Sequence, residues 1–443
     1  MTLTRVLREW DVTLLFIGAV IGSGIFIVPA TVLRQVDQAF GLALLVWVAG
    51  GVLSLLGALT YAELGAQRPD AGGLYVYIRD AFGAFPAFLY GWTLFFVISA
   101  SSTATLAVAF AAYVGTIVPL SAVAATSVSI GMIAAVTAVN VWGTRQSATL
   151  QNWTTAAKWC GVLVMGAALI AYGPERAEIG LQLWPTHATG LLAGVGGSII
   201  GVLWAYEGWQ YCTFSAGETI NPQRALPRAF LLGSVGLIVV YVVANIGYVA
   251  TLGVDRAAAS DSIAAAAVET TAGPAVARLV TVMILVSMAS AANATVLTAP
   301  RVYYAMARDG LFFKQLAHVH PRFGTPAVAV IAGSAWSAML AATGTFEQLL
   351  TVNVFAGWLF YGLAAASIFV YRRRQLSGSA SFRVPGYPIT PLLFVVASAA
   401  VVLSTIASEP GRVAMGAGVV LLGAPAYMVW RIRRAPQPGP SVP

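Results

Sequence analysis

Apolar stretches of about 20 residues recur along the chain, and short runs rich in glycine, proline and charge separate them. Each stretch is long enough to cross a bilayer core of ~30 Å as a helix. Read with that punctuation, the pattern predicts twelve spans. They run roughly over 12–33, 41–64, 82–117, 122–142, 154–173, 190–218, 227–253, 275–307, 326–343, 348–371, 388–407 and 412–431. The expected fold is therefore an all-α polytopic membrane protein, residues 1–443 making one transmembrane domain with no soluble part. Between spans 7 and 8, an Ala-rich stretch from Asp261 to Glu269 is expected to form a short lid helix. The tail from Pro436 is proline-rich and expected to be disordered.

Composition strengthens this picture. The chain is 59% hydrophobic and only 9% charged, whereas a soluble domain carries about 25% charged residues. With so few charges, the net charge of +8 is an orientation signal and not a nucleic-acid footprint. Placing the N-terminus in the cytoplasm leaves Arg34, Arg176, Arg256, Arg278 and Arg412 outside. Nearly all the other basic residues, Arg145, Arg301 and Arg372–Arg374 among them, fall inside. Both termini are then cytoplasmic, and an Arg-dominated, Ala-rich composition suits a bacterial inner membrane. Cys160 and Cys212 lie in apolar stretches, and His187, His318 and His320 lie in loops. Neither set has a metal spacing, so no metal and no cofactor is expected. Gly194-Val195-Gly196-Gly197 lies inside an apolar span with no βαβ pattern after it, which fits helix packing and not a dinucleotide loop.

Two spans are interrupted in the middle. Span 1 reads DVTLLFIGAVIGSGIFIVPA, with Gly22-Ser23-Gly24 near bilayer depth, and span 6 carries Glu207-Gly208 within LWAYEGW. Interruptions at matching depths five spans apart are the signature of an inverted repeat whose corresponding helices unwind at the midplane. The first repeat would cover 12–173 and the second 190–371, with two additional helices over 388–431. Glycine leaves helical geometry cheaply and lets a ligand approach the backbone. Unwinding at Ile21 and Gly22 frees the amides of Ser23, Gly24 and Ile25 at the positive end of a helix dipole, which suits a carboxylate. On span 6, freed carbonyls around Trp204, Ala205 and Glu207 suit an ammonium group. The two breaks together make a clamp for an α-amino acid. Close packing of helices is the competing explanation for the glycines.

The chain resembles the amino acid–polyamine–organocation superfamily of permeases, in its L-type amino acid transporter branch. The resemblance rests on IGSGIF at 21–26, LWAYEGW at 203–209, GETINPQRALPRA at 217–229, ANATVLTAPRVYYAMARDG at 292–310 and FRVPGYP at 382–388, in that order. It implies a fold of five plus five helices in inverted repeat, with substrate held between spans 1 and 6 by backbone groups. Trp204 matches the aromatic residue that closes over substrate, and Asn293 lies in the matching motif of span 8. Many members of the family carry glycine where this chain has Glu207.

Lys158 is placed about four residues into span 5. The resemblance implies that its ammonium stands where sodium sits in sodium-coupled relatives of the fold. There it would tie span 5 to the unwound carbonyls of span 1 and to hydroxyls of span 8 such as Ser287 or Ser290. A buried amine able to lose its proton is one route to proton coupling; a lysine snorkelling to the interface is the plain alternative. Glu207 has three readings: a cap on the second half of span 6, a partner for a cationic side chain, or a proton-exchanging group. Glu63 and Glu218, near cytoplasmic ends, are read as solvated or paired gate residues. The expected function is alternating-access transport of neutral L-amino acids, by exchange or with protons as coupling ions, within a lipid bilayer. A cationic amino acid or polyamine permease is the alternative, and a channel the alternative of another class. A channel would need charge rings or a repeated filter loop, and an enzyme would need a cluster of reactive groups within the spans. The oligomeric partner, if any, is not read from the sequence.

Overall fold

The computed structural model describes residues 3–175, 180, 184–185, 190–375 and 382–433. His187, Arg176, Arg434, most of the loop 174–189 and the tail from Pro436 lie outside the described residues. Among the described residues every regular element is a helix, and the one β contact is an isolated bridge between Leu7 and Thr219.

Among the described residues nine helices are long and apolar enough to cross a membrane, and a tenth span is the pair Glu9–Val20 and Gly24–Gln35, bent by 43° at its break. These ten coincide with spans 1 to 5, 7, 8 and 10 to 12 of the hydropathy pattern. The other two predicted spans are shorter helices: Leu191–Ala205, continued by the 3₁₀ segment Trp209–Glu218, and Ala327–Thr343. An amphipathic helix, Leu74–Phe82, precedes span 3 (Ala84–Ile117) and buries Leu74, Tyr75, Tyr77 and Ile78. Span 3 itself passes through a π-helical turn at Leu94–Ile98.

Three boundaries differ from the sequence expectation, each for a physical reason. Span 5 starts at Thr144, ten residues before the predicted 154, and runs to Tyr172. Its first turns are polar, but Thr144, Ser147, Gln151, Thr155 and Lys158 recur every three or four residues and are all buried. They form a stripe that faces protein, and hydropathy reads such a stripe as loop. Lys158 consequently lies in mid-helix and not four residues from an end. The second and third differences concern the stretch 254–274. Span 7 runs on to Ala259 and span 8 begins at Ile263, each bent where a glycine takes positive φ, Gly253 at 69° and Gly273 at 80°. The stretch expected to form a lid helix is thus helical from Ile263 onward, with Ile263, Ala264 and Ala267 fully covered.

Burial separates a lipid-facing shell from a packed centre. Leu392, Leu393 and Leu403 of span 11 and Leu421 and Leu422 of span 12 are at least half exposed, as suits side chains against hydrocarbon. Ile21, Ile25 and Phe26 of span 1, Leu203 of span 6 and Met288 of span 8 are fully enclosed. The first half of span 1 packs against spans 5, 7 and 8, and its second half against span 6. The two broken helices therefore sit at the centre, where lipid cannot reach their open backbone.

Candidate functional site

In an unbroken helix Gly18 O would accept from the amide of Gly22, and Ile21 O from that of Ile25. Span 1 instead turns extended at Ile21 (φ −73°, ψ 91°), and the next helix opens after Ser23. The freed carbonyls are taken by side chains from spans 5 and 8. Lys158 Nζ donates to Gly18 O at 2.7 Å, to Ile21 O at 2.6 Å and, more weakly, to Ser287 O at 3.4 Å. Ser287 Oγ donates to Ile21 O at 3.0 Å and to Gly22 O at 3.2 Å. Three donors on one ammonium meet three carbonyls, so a cation that is 1% exposed is fully hydrogen-bonded. Lys158 is not a snorkelling residue. Its link to span 8 runs through a backbone carbonyl, while the Ser290 hydroxyl accepts from Thr154 at 2.9 Å and does not reach the lysine.

Span 6 breaks differently. The helix ends at Ala205, and Gly208 adopts φ 121°, open to glycine and costly for other residues. A Cβ there would also lie 2.5 Å from Ala19 O, so the break needs glycine for conformation and for contact with span 1. Gly24 answers from the other side, because a Cβ on it would lie 2.6 Å from the Cα of Ala205. The space beside Gly24 is thus taken by span 6, and its first role is helix crossing. Gly22 faces Leu106 and Ala291. Of the carbonyls expected to be free on span 6, Trp204 O accepts from the amide of Glu207 at 3.0 Å, and Ala205 O from the Tyr241 hydroxyl at 2.9 Å.

The two breaks enclose one cavity of about 30 Å³, room for a water or two and far too small for an amino acid. Gly22, Ser23 and Gly24 of span 1 line it together with Trp204, Glu207 and Gly208 of span 6, whereas Ile21, Ile25 and Ala205 pack behind this wall. The first-turn amides of the helix that opens at Gly24 have no acceptor within that helix. Ser23 Oγ is buried without a partner. Glu207 is 8% exposed: Oε1 accepts from Tyr361 OH at 2.8 Å, which in turn accepts from Gln210 Nε2 at 2.7 Å. Its Oε2 has no hydrogen-bond partner, although Asn353 stands beside it.

Several of these residues were not legible as site residues. Ala19 and Val20 of span 1, Ser102 and Leu106 of span 3, Tyr211 of span 6 and Ala291 of span 8 complete the lining. The hydroxyl-rich run Ser99–Thr105 was the available sign for span 3. Glu218 and Arg301, near the end that carries the N-terminus, are 1% and 0% exposed and form a two-bonded ion pair. Glu63 is likewise buried and paired, with Arg372 at 2.6 Å and the amide of Val384 at 2.6 Å. Both glutamates are thus paired, not solvated. Asn293 accepts from Asn140 at 2.8 Å and donates to Gln151 at 2.9 Å, joining spans 4, 5 and 8 away from the cavity.

A family model described as amino acid permease matches residues 7–423. The chain is 29% identical to the serine/threonine exchanger SteT of Bacillus subtilis (strain 168), an alignment that covers 95% of each protein. It is 34% identical to the b(0,+)-type amino acid transporter 1 of Oryctolagus cuniculus, over 82% of this chain and 75% of that one. The cystine/glutamate transporter of Homo sapiens is 29% identical over 94% of this chain and 83% of its own length.

Proposed function

The chain belongs to the amino acid permease family, and from that premise we propose that it exchanges small neutral L-amino acids across a bacterial inner membrane by alternating access. That it is a multi-pass secondary transporter of amino acids, and not an enzyme, follows from the family and its relatives. The substrate, the coupling and the orientation are the proposal. One observation carries it: the two broken helices meet across a single closed cavity, with open amides on one wall and a carboxylate on the other. The amides at Ser23, Gly24 and Ile25 hold the substrate carboxylate. Span 6 receives the ammonium at the carbonyl side of the Trp204–Gly208 break, and Trp204 closes over the ligand. Ser102, Leu106 and Ala291 leave room for a small side chain once the cavity opens.

In this reading the halves 12–173 and 190–371 are the inverted repeats, and 388–431 adds two helices at the periphery. Both termini face the cytoplasm, on the side where Lys and Arg accumulate. Exchange is supported by the similarity to the serine/threonine exchanger of Bacillus subtilis. A second reading, a cationic amino acid or polyamine as substrate, is favoured by Glu207 Oε2, a buried carboxylate oxygen without a partner at the cavity wall.

Proteoliposomes separate these readings. Uptake of labelled serine or alanine that requires the same amino acids inside establishes exchange. Uptake into empty vesicles driven by an acidic exterior establishes proton symport. Arginine or putrescine outcompeting the neutral amino acids establishes the second substrate reading, and flux that never saturates rejects a transporter altogether.

A further inference from the structure

Two sets of contacts close the face that carries the N-terminus, and both converge on the first two residues of span 5, Thr144 and Arg145. In the first set, the segment before span 1 lies along residues 218–220. The amides of Val6 and Leu7 donate to Glu218 O, both at 2.9 Å, and the amide of Ile220 donates to Leu7 O at 2.7 Å. Asp11, in the opening turn of span 1 and 5% exposed, accepts from Arg145 Nη1 at 2.7 Å, Asn152 Nδ2 at 2.6 Å and the amide of Arg8 at 2.7 Å. In the second set, Thr144 Oγ1 donates to Glu218 Oε1 at 2.9 Å and accepts from Arg301 Nη2 at 2.8 Å. That hydroxyl thereby closes the ion pair between the end of span 6 and span 8.

We infer that Thr144 and Arg145 form a two-stage latch that governs opening of the cavity toward the face of the N-terminus, with residues 5–8 as a strap across it. The inference rests on the alternating-access reading. In that cycle the first half of span 1 and the end of span 6 must part from spans 5 and 8, and the latch ties together these four elements. The stages differ in strength. Arg145 is 47% exposed, so its bond to Asp11 is weakened by solvent and yields first. The Glu218–Arg301 pair is almost wholly enclosed and yields only once water has entered behind the strap. Residue 218 serves both stages, its carbonyl in the strap and its carboxylate in the pair. Lifting the strap therefore loosens the backbone that holds the buried acid.

The chain carries its own reporter. Cys212 on the second half of span 6 is 1% exposed, with Sγ 3.7 Å from Val12 O of span 1, and it gains access to water when these two elements part from spans 5 and 8. Cys160 is exposed and must be removed as Cys160→Ala. The experiment labels Cys212 with a membrane-impermeant thiol reagent applied to one face at a time of reconstituted full-length protein. Arg145→Ala is expected to raise the labelling rate about tenfold from the face of the N-terminus only, the scale of one charge-assisted hydrogen bond, and Arg145→Lys to restore most of the protection. A variant lacking residues 2–7 tests the strap if Arg145→Ala does not fold. Wild-type labelling rates in both, or equal acceleration from both faces, would overturn the latch. Serine exchange by unsubstituted protein in the same vesicles tests the transport reading separately.

Discussion

Lys158 and Arg301 are two cations buried to the same degree, and the chain satisfies them in opposite ways. Arg301 faces a carboxylate: Glu218 takes two of its donors, Thr144 a third, and Leu297 O a fourth. Lys158 faces no acid among the described residues, and its donors go to carbonyls, two of which exist as free acceptors only because span 1 is broken. A salt bridge neutralises charge between two intact side chains and is indifferent to backbone conformation. A lysine held by unwound backbone stabilises the unwinding itself, since re-forming the helix would take its acceptors away. Arg301 therefore belongs to the contacts at the face of the N-terminus, and Lys158 to the broken state of span 1.

The strongest way to break this comparison is to remove one partner of the ion pair. Arg301→Met leaves Glu218 buried without its counter-charge and is expected to cost about 3–5 kcal/mol, read as a large fall in thermal stability in detergent. Arg301→Met with Glu218→Gln should recover part of that loss. Equal stability of the single variant and wild type would mean that the carboxylate is not what distinguishes the two cations. Lys158→Ala comes next and acts elsewhere. It leaves neutral carbonyls and no uncompensated charge, so stability falls less. Amino acid exchange in proteoliposomes should drop roughly 10–100-fold, the worth of a charged hydrogen-bond donor. Unchanged rates and unchanged pH dependence would remove any coupling role for Lys158.

A smaller perturbation sharpens the geometry. Lys158 reaches span 1 because Gly18 allows spans 1 and 5 to touch, and a Cβ at Gly18 would overlap Thr155 and Gln151. Gly18→Ala is expected to cost about 1–2 kcal/mol by overpacking and to lower exchange in the same direction as Lys158→Ala, by less. An intact exchange rate would show that the lysine does not depend on this approach.

The twelve apolar segments and both breaks were legible because lipid-facing and core-facing side chains are equally apolar, and glycines at bilayer depth interrupt them visibly. The polar half of span 5 was not. Thr144, Ser147, Gln151 and Thr155 look like a loop to hydropathy, and only their three- and four-residue spacing marks a protein-facing stripe. The pairing of Arg301 with Glu218 was hidden for a related reason. Each lies near the end of its segment, where a charge is ordinarily solvated, and they lie 83 residues apart in the chain. The cavity was legible on its backbone side, through GSG and Glu207-Gly208. The span 3 and span 8 wall was not, since Leu106 and Ala291 carry no chemistry that sets them apart from packing residues.

Ser287→Ala gives the smallest effect and the finest test. The Ser287 hydroxyl shares Ile21 O with Lys158 and is the side-chain donor to Gly22 O. Its loss leaves the ammonium in place and takes away one neutral donor shared between two carbonyls, a net of about 1 kcal/mol. If Lys158 stabilises the break by charge, the variant should keep most of its stability and show exchange reduced only a few-fold, with Lys158→Ala far worse. The double variant then distinguishes shared from separate roles. Two groups acting on one carbonyl are expected to be non-additive, so adding Ser287→Ala to Lys158→Ala should change exchange by less than it does alone. Full additivity would mean that the serine acts through Gly22 O and not through Ile21 O, and would divide the break into two independently held carbonyls.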